Sequence, residues 1–302
     1  MDIMNSFFLR KVKNVGIFLF RKLGSAIYHV IPHHVIPIIS LKNYRQINPI
    51  FLRAMFFAFF DGLLSNHPED IFVDQEFRLD EKNEYILRLN LRSYVSRRRF
   101  YLNNPDTLAA ILKERLGRES VYVDVGANIG QTSLIAACYA KRVLAFEPVT
   151  VDNFQLNLQQ NPTKKNITLF PYALSNKEGA ETIYLSKEND GGHSLSKGFM
   201  DRIKTKIDST MDVPLRRFDD LHLGKVDFIK IDVEGHELAV LQGMEKALVE
   251  ATYVYCETSK NEAPQVFSFL KGHGFHPLRE KTKKIERSGI TNILFVKEKL
   301  IE

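Results

Sequence analysis

The stretch Val121-Tyr-Val-Asp124-Val-Gly126-Ala-Asn128-Ile-Gly130-Gln-Thr132 decides the fold. It begins with alternating β-branched and aromatic residues, the pattern of a buried strand. It ends in a small-residue turn that opens a helix from Thr132 to Cys138. A strand, a glycine turn and a helix N-terminus place a ligand at the carboxyl edge of a parallel sheet. Gly126 and Gly130 read as positions where backbone approaches that ligand with no Cβ in the way. About 20 residues further on, Val143-Leu-Ala-Phe-Glu147-Pro148 reads as a second strand, its terminal carboxylate placed to accept from a ribose diol.

Outward from this stretch, strands and helices alternate. Strand patterns lie at 121–125, 143–147, 167–170, 226–232, 252–257 and 291–297, and helical patterns at 130–140, 150–160, 236–242 and 261–272. This alternation is that of an α/β, Rossmann-like, doubly wound and mostly parallel sheet. A longer insertion spans 173–218, with turns at Gly179, Gly191, Gly192, Gly198 and Pro214. Upstream, 72–77 and 85–89 read as a hairpin turned through Asp80 to Asn83, and 106–116 as a helix stopped by Gly117. The expected organisation is a basic, apolar helical extension over 1–69, a hairpin and helix lead-in over 70–118, and a ligand-binding domain over 119–302.

The charge is uneven along the 302 residues. Residues 1–53 hold eight basic residues against Asp2 alone, so the remaining chain carries a net −1 of the total +6. A near-neutral body argues against broad nucleic-acid binding by the domain. The N-terminal segment mixes bulky apolar groups with Arg and Lys, and no run in it is long enough to span a bilayer. It fits a basic amphipathic helix on the inner membrane face, or a helix packed on the domain with its basic side solvated. Adjacent His33 and His34 point apart in an extended chain, which argues against a shared metal. Arg97-Arg98-Arg99 reads as a solvated edge or a contact for an anionic group. Cys138 and Cys256 fall in apolar runs and read as buried free thiols, as in a cytoplasmic, reducing compartment.

The first turn is GxxxG, from Gly126 to Gly130, where a dinucleotide asks for GxGxxG. The wider spacing after Asp124 suits a cofactor without phosphate, and S-adenosylmethionine is the candidate. Asp124 would hold its ammonium, and Glu147 its two ribose hydroxyls. The competing reading makes Asp124 a carboxylate that caps the helix or ties the loop. The second strong stretch is Asp227-Phe-Ile-Lys-Ile-Asp232-Val-Glu234-Gly235-His236-Glu237. A buried strand delivers Asp232 to the same sheet edge, and His236 suits a general base. Glu234 and Glu237 could instead only complement a helix N-terminus. Glu257, ending the strand at 252–257, is a further candidate base, and His193 a candidate substrate contact within the insertion. No metal is expected.

Asp124 to Gly130, Phe146-Glu147-Pro148, Ala173-Leu-Ser175, Ser194-Leu195 and Lys230 to Glu237, in this order, resemble the FkbM family of S-adenosylmethionine-dependent methyltransferases over residues 95 to 297. The resemblance implies a class I methyltransferase fold and O-methylation of a sugar, glycolipid or polyketide-like hydroxyl. It places Asp124, Gly126, Asn128 and Gly130 at the methionine end of the cofactor, Glu147 at its ribose and Ala173 near its adenine. Asp232, Glu234 and His236 would face the transferred methyl group. Tyr101 to Asp106 departs from the acidic lead-in common in this family. Two other readings remain: an NAD(P)-dependent oxidoreductase, and a non-catalytic membrane-associated binding module. The oligomeric state stays open.

Overall fold

A computed structural model describes residues 58–61, 64, 70–102, 107–187, 189–202, 204–278 and 290–298. The basic segment 1–53, its proposed membrane contact and the His33-His34 pair lie outside the described residues. The chain divides into two compact units. One comprises the described residues within 1–75, 88–105 and 187–191, the other those within 76–87, 106–186 and 192–302.

In chain order the elements are β1 (Phe72–Arg78), β2 (Glu84–Asn90), α1 (Tyr94–Leu102), α2 (Thr107–Arg115), β3 (Val121–Val125), α3 (Gln131–Ala136), β4 (Arg142–Phe146), α4 (Val151–Gln160), β5 (Ile167–Phe170), β6 (Ala173–Leu174), β7 (Gly179–Leu185), α5 (Lys197–Arg202), β8 (Ser209–Arg216), β9 (Phe228–Ile231), α6 (Glu237–Gln242), α7 (Glu245–Glu250), β10 (Tyr253–Ser259), α8 (Ala263–Gly272), β11 (Phe275–Pro277) and β12 (Ile290–Lys297). Among the described residues the main sheet has seven strands in the order β11-β12-β10-β9-β3-β4-β5. The five from β10 to β5 run parallel, and β12 joins antiparallel to both β10 and β11. This is the doubly wound sheet read from the sequence, with an antiparallel margin added.

β3 is the middle one of the five parallel strands and all five of its residues are buried. That is why it reads as a continuous apolar run: helices cover both faces of a parallel sheet. Val123, Val125, Ile229, Ile231, Val254 and Cys256 from neighbouring strands share one core with Val240 and Leu241 of α6 and Val266 and Leu270 of α8. Register brings Asp124 opposite Ala145 and Lys230, so the ends of β3, β4 and β9 meet at one edge.

The insertion contains a second sheet of order β6-β8-β7, with β6 and β8 parallel and β7 and β8 antiparallel. Both cysteines are free thiols, but only Cys256 is buried. Cys138 is half-buried and its sulfur accepts a hydrogen bond from Lys164 Nζ at 3.0 Å.

In the other unit the arginine triplet falls on α1, with different fates for its members. Arg98 is exposed, whereas Arg97 is 1% exposed and gives Nε and Nη2 to Asp61 Oδ1 at 2.9 and 2.6 Å. Its Nη1 reaches the Leu91 carbonyl at 2.9 Å. For Arg97 the expectation of a solvated edge or substrate contact is thus corrected: it is the centre of a buried ion pair. Ala58, Phe60 and Leu64 are buried in the same unit.

Candidate active site

Asp124, next to last in β3, has no exposed surface. Its Oδ2 accepts the hydroxyls of Thr132 and Ser133 at 2.6 and 2.7 Å, tying the strand to the first turn of α3. Its Oδ1 makes no hydrogen bond and faces Lys230 Nζ at 3.3 Å. The loop-tying role is therefore present, with one buried carboxylate oxygen left over.

Gly126 and Gly130 both have left-handed backbones, with φ of 74° and 83°. A Cβ at Gly126 would stand 1.9 Å from the Asp232 carbonyl oxygen, and one at Gly130 would enter the Phe154 ring at 2.2 Å. The sequence reading had these glycines clear space for a ligand. In the structure, neighbouring elements of the protein also crowd both positions, which by itself requires glycine there. Asn128, at φ 49°, donates its amide to Glu147 Oε2 at 2.9 Å and takes the Ile129 amide on its own Oδ1.

Glu147 follows β4 and is 6% exposed. Its Oε1 accepts the Val149 and Thr150 amides at 2.7 and 3.0 Å. With the Asn128 amide, three of roughly four lone-pair positions are taken. Ala173 opens β6, three residues past the end of β5, and is half-buried.

Lys230 is a polar residue inside the buried strand β9. Its Nζ donates to the Gly126 carbonyl at 2.8 Å and lies 3.3 Å from Asp124 and 3.6 Å from Asp232. Burial alone would push the amine down; Asp124, then Asp232, more than reverse this and hold it above its ordinary value. The sequence reading gave Lys230 no role. A lysine between Ile229 and Ile231 in a strand buried on both faces was the available signal, since such a charge needs partners.

Asp232 follows β9 with a side chain about one-third exposed, and its amide bonds to the Val125 carbonyl at 3.1 Å. Oxygens of Asp232, Glu234 and Glu257 lie within 4.8 Å of one another, close enough to share protons or a cation. Burial, then Asp232 and Glu237, push Glu234 up to about 8. Burial, followed by the charges of Asp232 and Glu234, pushes Glu257 well above the carboxylate range. Glu237, 2% exposed, accepts the Gly235 amide and, at 3.3 Å, that of Val233, and burial pushes it up to about 7.

His236 stands apart from this group. Its Nε2 lies 3.0 Å from Ser175 Oγ. Burial, the largest cause, holds it below its ordinary value; Glu181 opposes this and Lys177 adds to it. His193, in the insertion, accepts the Ser186 amide on Nδ1 at 3.3 Å.

The family model for the FkbM methyltransferase domain matches residues 124–277. The hexuronic acid methyltransferase AglP of Haloferax volcanii is 32% identical over 171 residues, 54% of this chain and 66% of that protein. The methyltransferase sdnD of Sordaria araneosa is 28% identical over 199 residues, 53% of this chain and 75% of that protein. A solved FkbM methyltransferase from Methylobacillus flagellatus is similar at a TM-score of 0.42 and 15% identity, over 66% of this chain and 52% of that one. The chain thus spans just under two thirds of the first relative and about half of the solved structure. The family match covers just over half of the sequence and contains Asp124, Glu147 and the Asp232 turn. The chain belongs to the FkbM methyltransferase family.

Proposed function

We propose that this chain is an S-adenosylmethionine-dependent O-methyltransferase whose acceptor is a hydroxyl of a sugar, glycolipid or polyketide-like product. The observation that carries the reading is the meeting of Asp124, Glu147 and Asp232 at one carboxyl edge, beside the carboxyl group formed with Glu234 and Glu257. The donor set fits the cofactor. Asp124 Oδ1 is a buried acceptor without a hydrogen bond, and Glu147 keeps acceptor capacity for a hydroxyl. Asp124, Gly126 and Asn128 would hold the amino-acid end, Glu147 the ribose and Ala173 the adenine side. When bound, the cofactor supplies an electrophilic methyl group on a sulfonium.

The chain's own task is then to orient a hydroxyl, exclude water and accept a proton. Glu234, flanked by Asp232 and Glu257, is placed for the proton, while His236 Nε2 is engaged with Ser175. A carboxyl with raised proton affinity suits a base working near neutrality. The crowding of acids favours a neutral hydroxyl over a carboxylate as the reacting group. A sugar is further supported by the hexuronic acid named for the Haloferax relative.

Incubation with methyl-labelled cofactor and a cell extract, fractionated into lipid, glycan and small molecules, tests this. Label is expected in an alkali-stable ether; label found only as an ester or amine would refute O-methylation of a hydroxyl. Calorimetry with S-adenosylhomocysteine against NAD separates the reading from an oxidoreductase, and full cellular function of Asp124→Ala would support the binding-module reading. The same proposal puts the reaction on the cytoplasmic side, with residues 1–53 on the inner membrane face, supported by their surplus of seven positive charges. A truncation from residue 66 should leave the membrane fraction; unchanged fractionation would defeat that part. Among the described residues, no helix is long and apolar enough to cross a membrane.

A further inference from the structure

Ser194 lies between β7 and α5, and its side chain has no exposed surface. Its backbone exchanges hydrogen bonds with Tyr184 of β7 at 2.8 and 3.1 Å, which fixes it to the small sheet. Its Oγ accepts the Ser196 amide at 2.9 Å and donates to the Glu234 carbonyl at 2.5 Å. The N–H of that same Glu234–Gly235 peptide donates to the Glu237 carboxylate at 3.0 and 3.1 Å. One peptide plane is thus held at its oxygen by Ser194 and at its nitrogen by Glu237, and both side chains are buried. The Phe199 ring packs against Gly235 on the same turn.

Glu234 needs such a hold. Its φ is 56°, a left-handed conformation that a residue with a long side chain keeps only when its surroundings impose it. From this backbone its carboxyl reaches those of Asp232 and Glu257. At a negative φ the Cα–Cβ bond points elsewhere, and the three carboxyls no longer converge. We propose that Ser194 is a positioning residue for methyl transfer: by clamping the Glu234–Gly235 peptide from the insertion, it aims the Glu234 carboxyl into the group with Asp232 and Glu257. This rests on the methyltransferase reading for its effect on rate, but the clamp itself is readable without activity.

The test uses the full chain with Ser194→Ala. In its crystal structure Glu234 is expected at a negative φ, with its carboxyl out of reach of Asp232 and Glu257. Calorimetry with S-adenosylhomocysteine is expected to give affinity within about 2-fold of wild type, because no cofactor-side contact is touched. Transfer of labelled methyl to the acceptor fraction should fall about 10- to 100-fold in kcat, the scale of a misplaced group. In a Glu234→Gln background, Ser194→Ala should cause no further loss. Ser194→Cys, close in volume and a weak donor, should lose less than the alanine variant; it serves for all readouts if alanine prevents folding. Glu234 remaining at φ near 56° with its carboxyl in the group, or transfer at the wild-type rate, overturns the proposal. Wild-type protein that neither binds S-adenosylhomocysteine nor transfers label overturns the methyltransferase reading instead, and the structure of the variant still decides the clamp.

Discussion

Replacing Lys230 by Met removes a buried charge that lies between Asp124 and Asp232. Its Nζ stands 3.3 Å from Asp124 and 3.6 Å from Asp232 and donates to the Gly126 carbonyl. At an effective dielectric of about 20, each ion pair at such distances is worth roughly 5 kcal/mol of Coulomb energy. Most of this is offset by the cost of burying a lysine that is only 5% exposed. The loss on substitution is therefore set by what the partners do next. Asp232 is about one-third exposed and recovers water. Asp124 is fully buried and keeps only the Thr132 and Ser133 hydroxyls. Stranding one buried carboxylate costs about 3–5 kcal/mol. For a unit of this size that lowers Tm by roughly 6–20 °C. Urea unfolding of Lys230→Met beside wild type, with S-adenosylhomocysteine calorimetry on both, measures it. An unfolding free energy within about 1 kcal/mol of wild type at unchanged slope would refute the reasoning, because Asp124 would then not depend on Lys230.

Gly126→Ala should be similarly severe: left-handed alanine costs about 1–2 kcal/mol, and the new Cβ drives the Asp232 carbonyl away. Chemical unfolding and loss of S-adenosylhomocysteine binding check it; wild-type affinity would count against it. Glu237 and Glu234 are pushed up to about 7 and about 8 from an ordinary 4.5. A raised carboxyl stabilises the fold fully below its unfolded pKa and loses that contribution as pH rises through the folded value. Stability should therefore fall between about pH 5 and pH 8 by an amount on the order of 1–3 kcal/mol, and Glu237→Gln should flatten the decline. On the acid side the sign reverses at Asp80, whose carboxyl is held below its usual range chiefly by Asn83 and then Lys113. Its contribution is present above the unfolded pKa and lost on acidification, which titration of Asp80→Asn would show. Arg97→Met should cost about 3–5 kcal/mol by stranding Asp61, and the Arg97→Met/Asp61→Leu pair should cost less than the single change in thermal unfolding.

Strand and helix order over 121–272 was legible in the sequence because burial on both faces writes itself as apolar runs between turn residues. The elements missed were β11, α7, and the strands and the short helix α5 of the insertion. β6 has only two residues, and β7 and β8 expose many of theirs, so no apolar period marks them. α1 was hidden by its arginines, because a charge buried against a distant Asp61 looks in sequence like a charge in water.

The sequence by itself determined the sheet order's grammar, the family, and which carboxylates end β3, β4 and β9. Those properties are local: a strand's period and the residue at its end do not depend on what lies opposite. Only the tertiary structure decided their roles. It closed Gly126 against the Asp232 carbonyl and placed Lys230 between two acids. It turned His236 to Ser175 and brought Glu257 beside Asp232 and Glu234. It also set Ser194 on the peptide that holds Glu234 left-handed. Each of these joins residues far apart in the chain, and a side chain's charge state and aim are fixed by such neighbours rather than by its own position in the sequence.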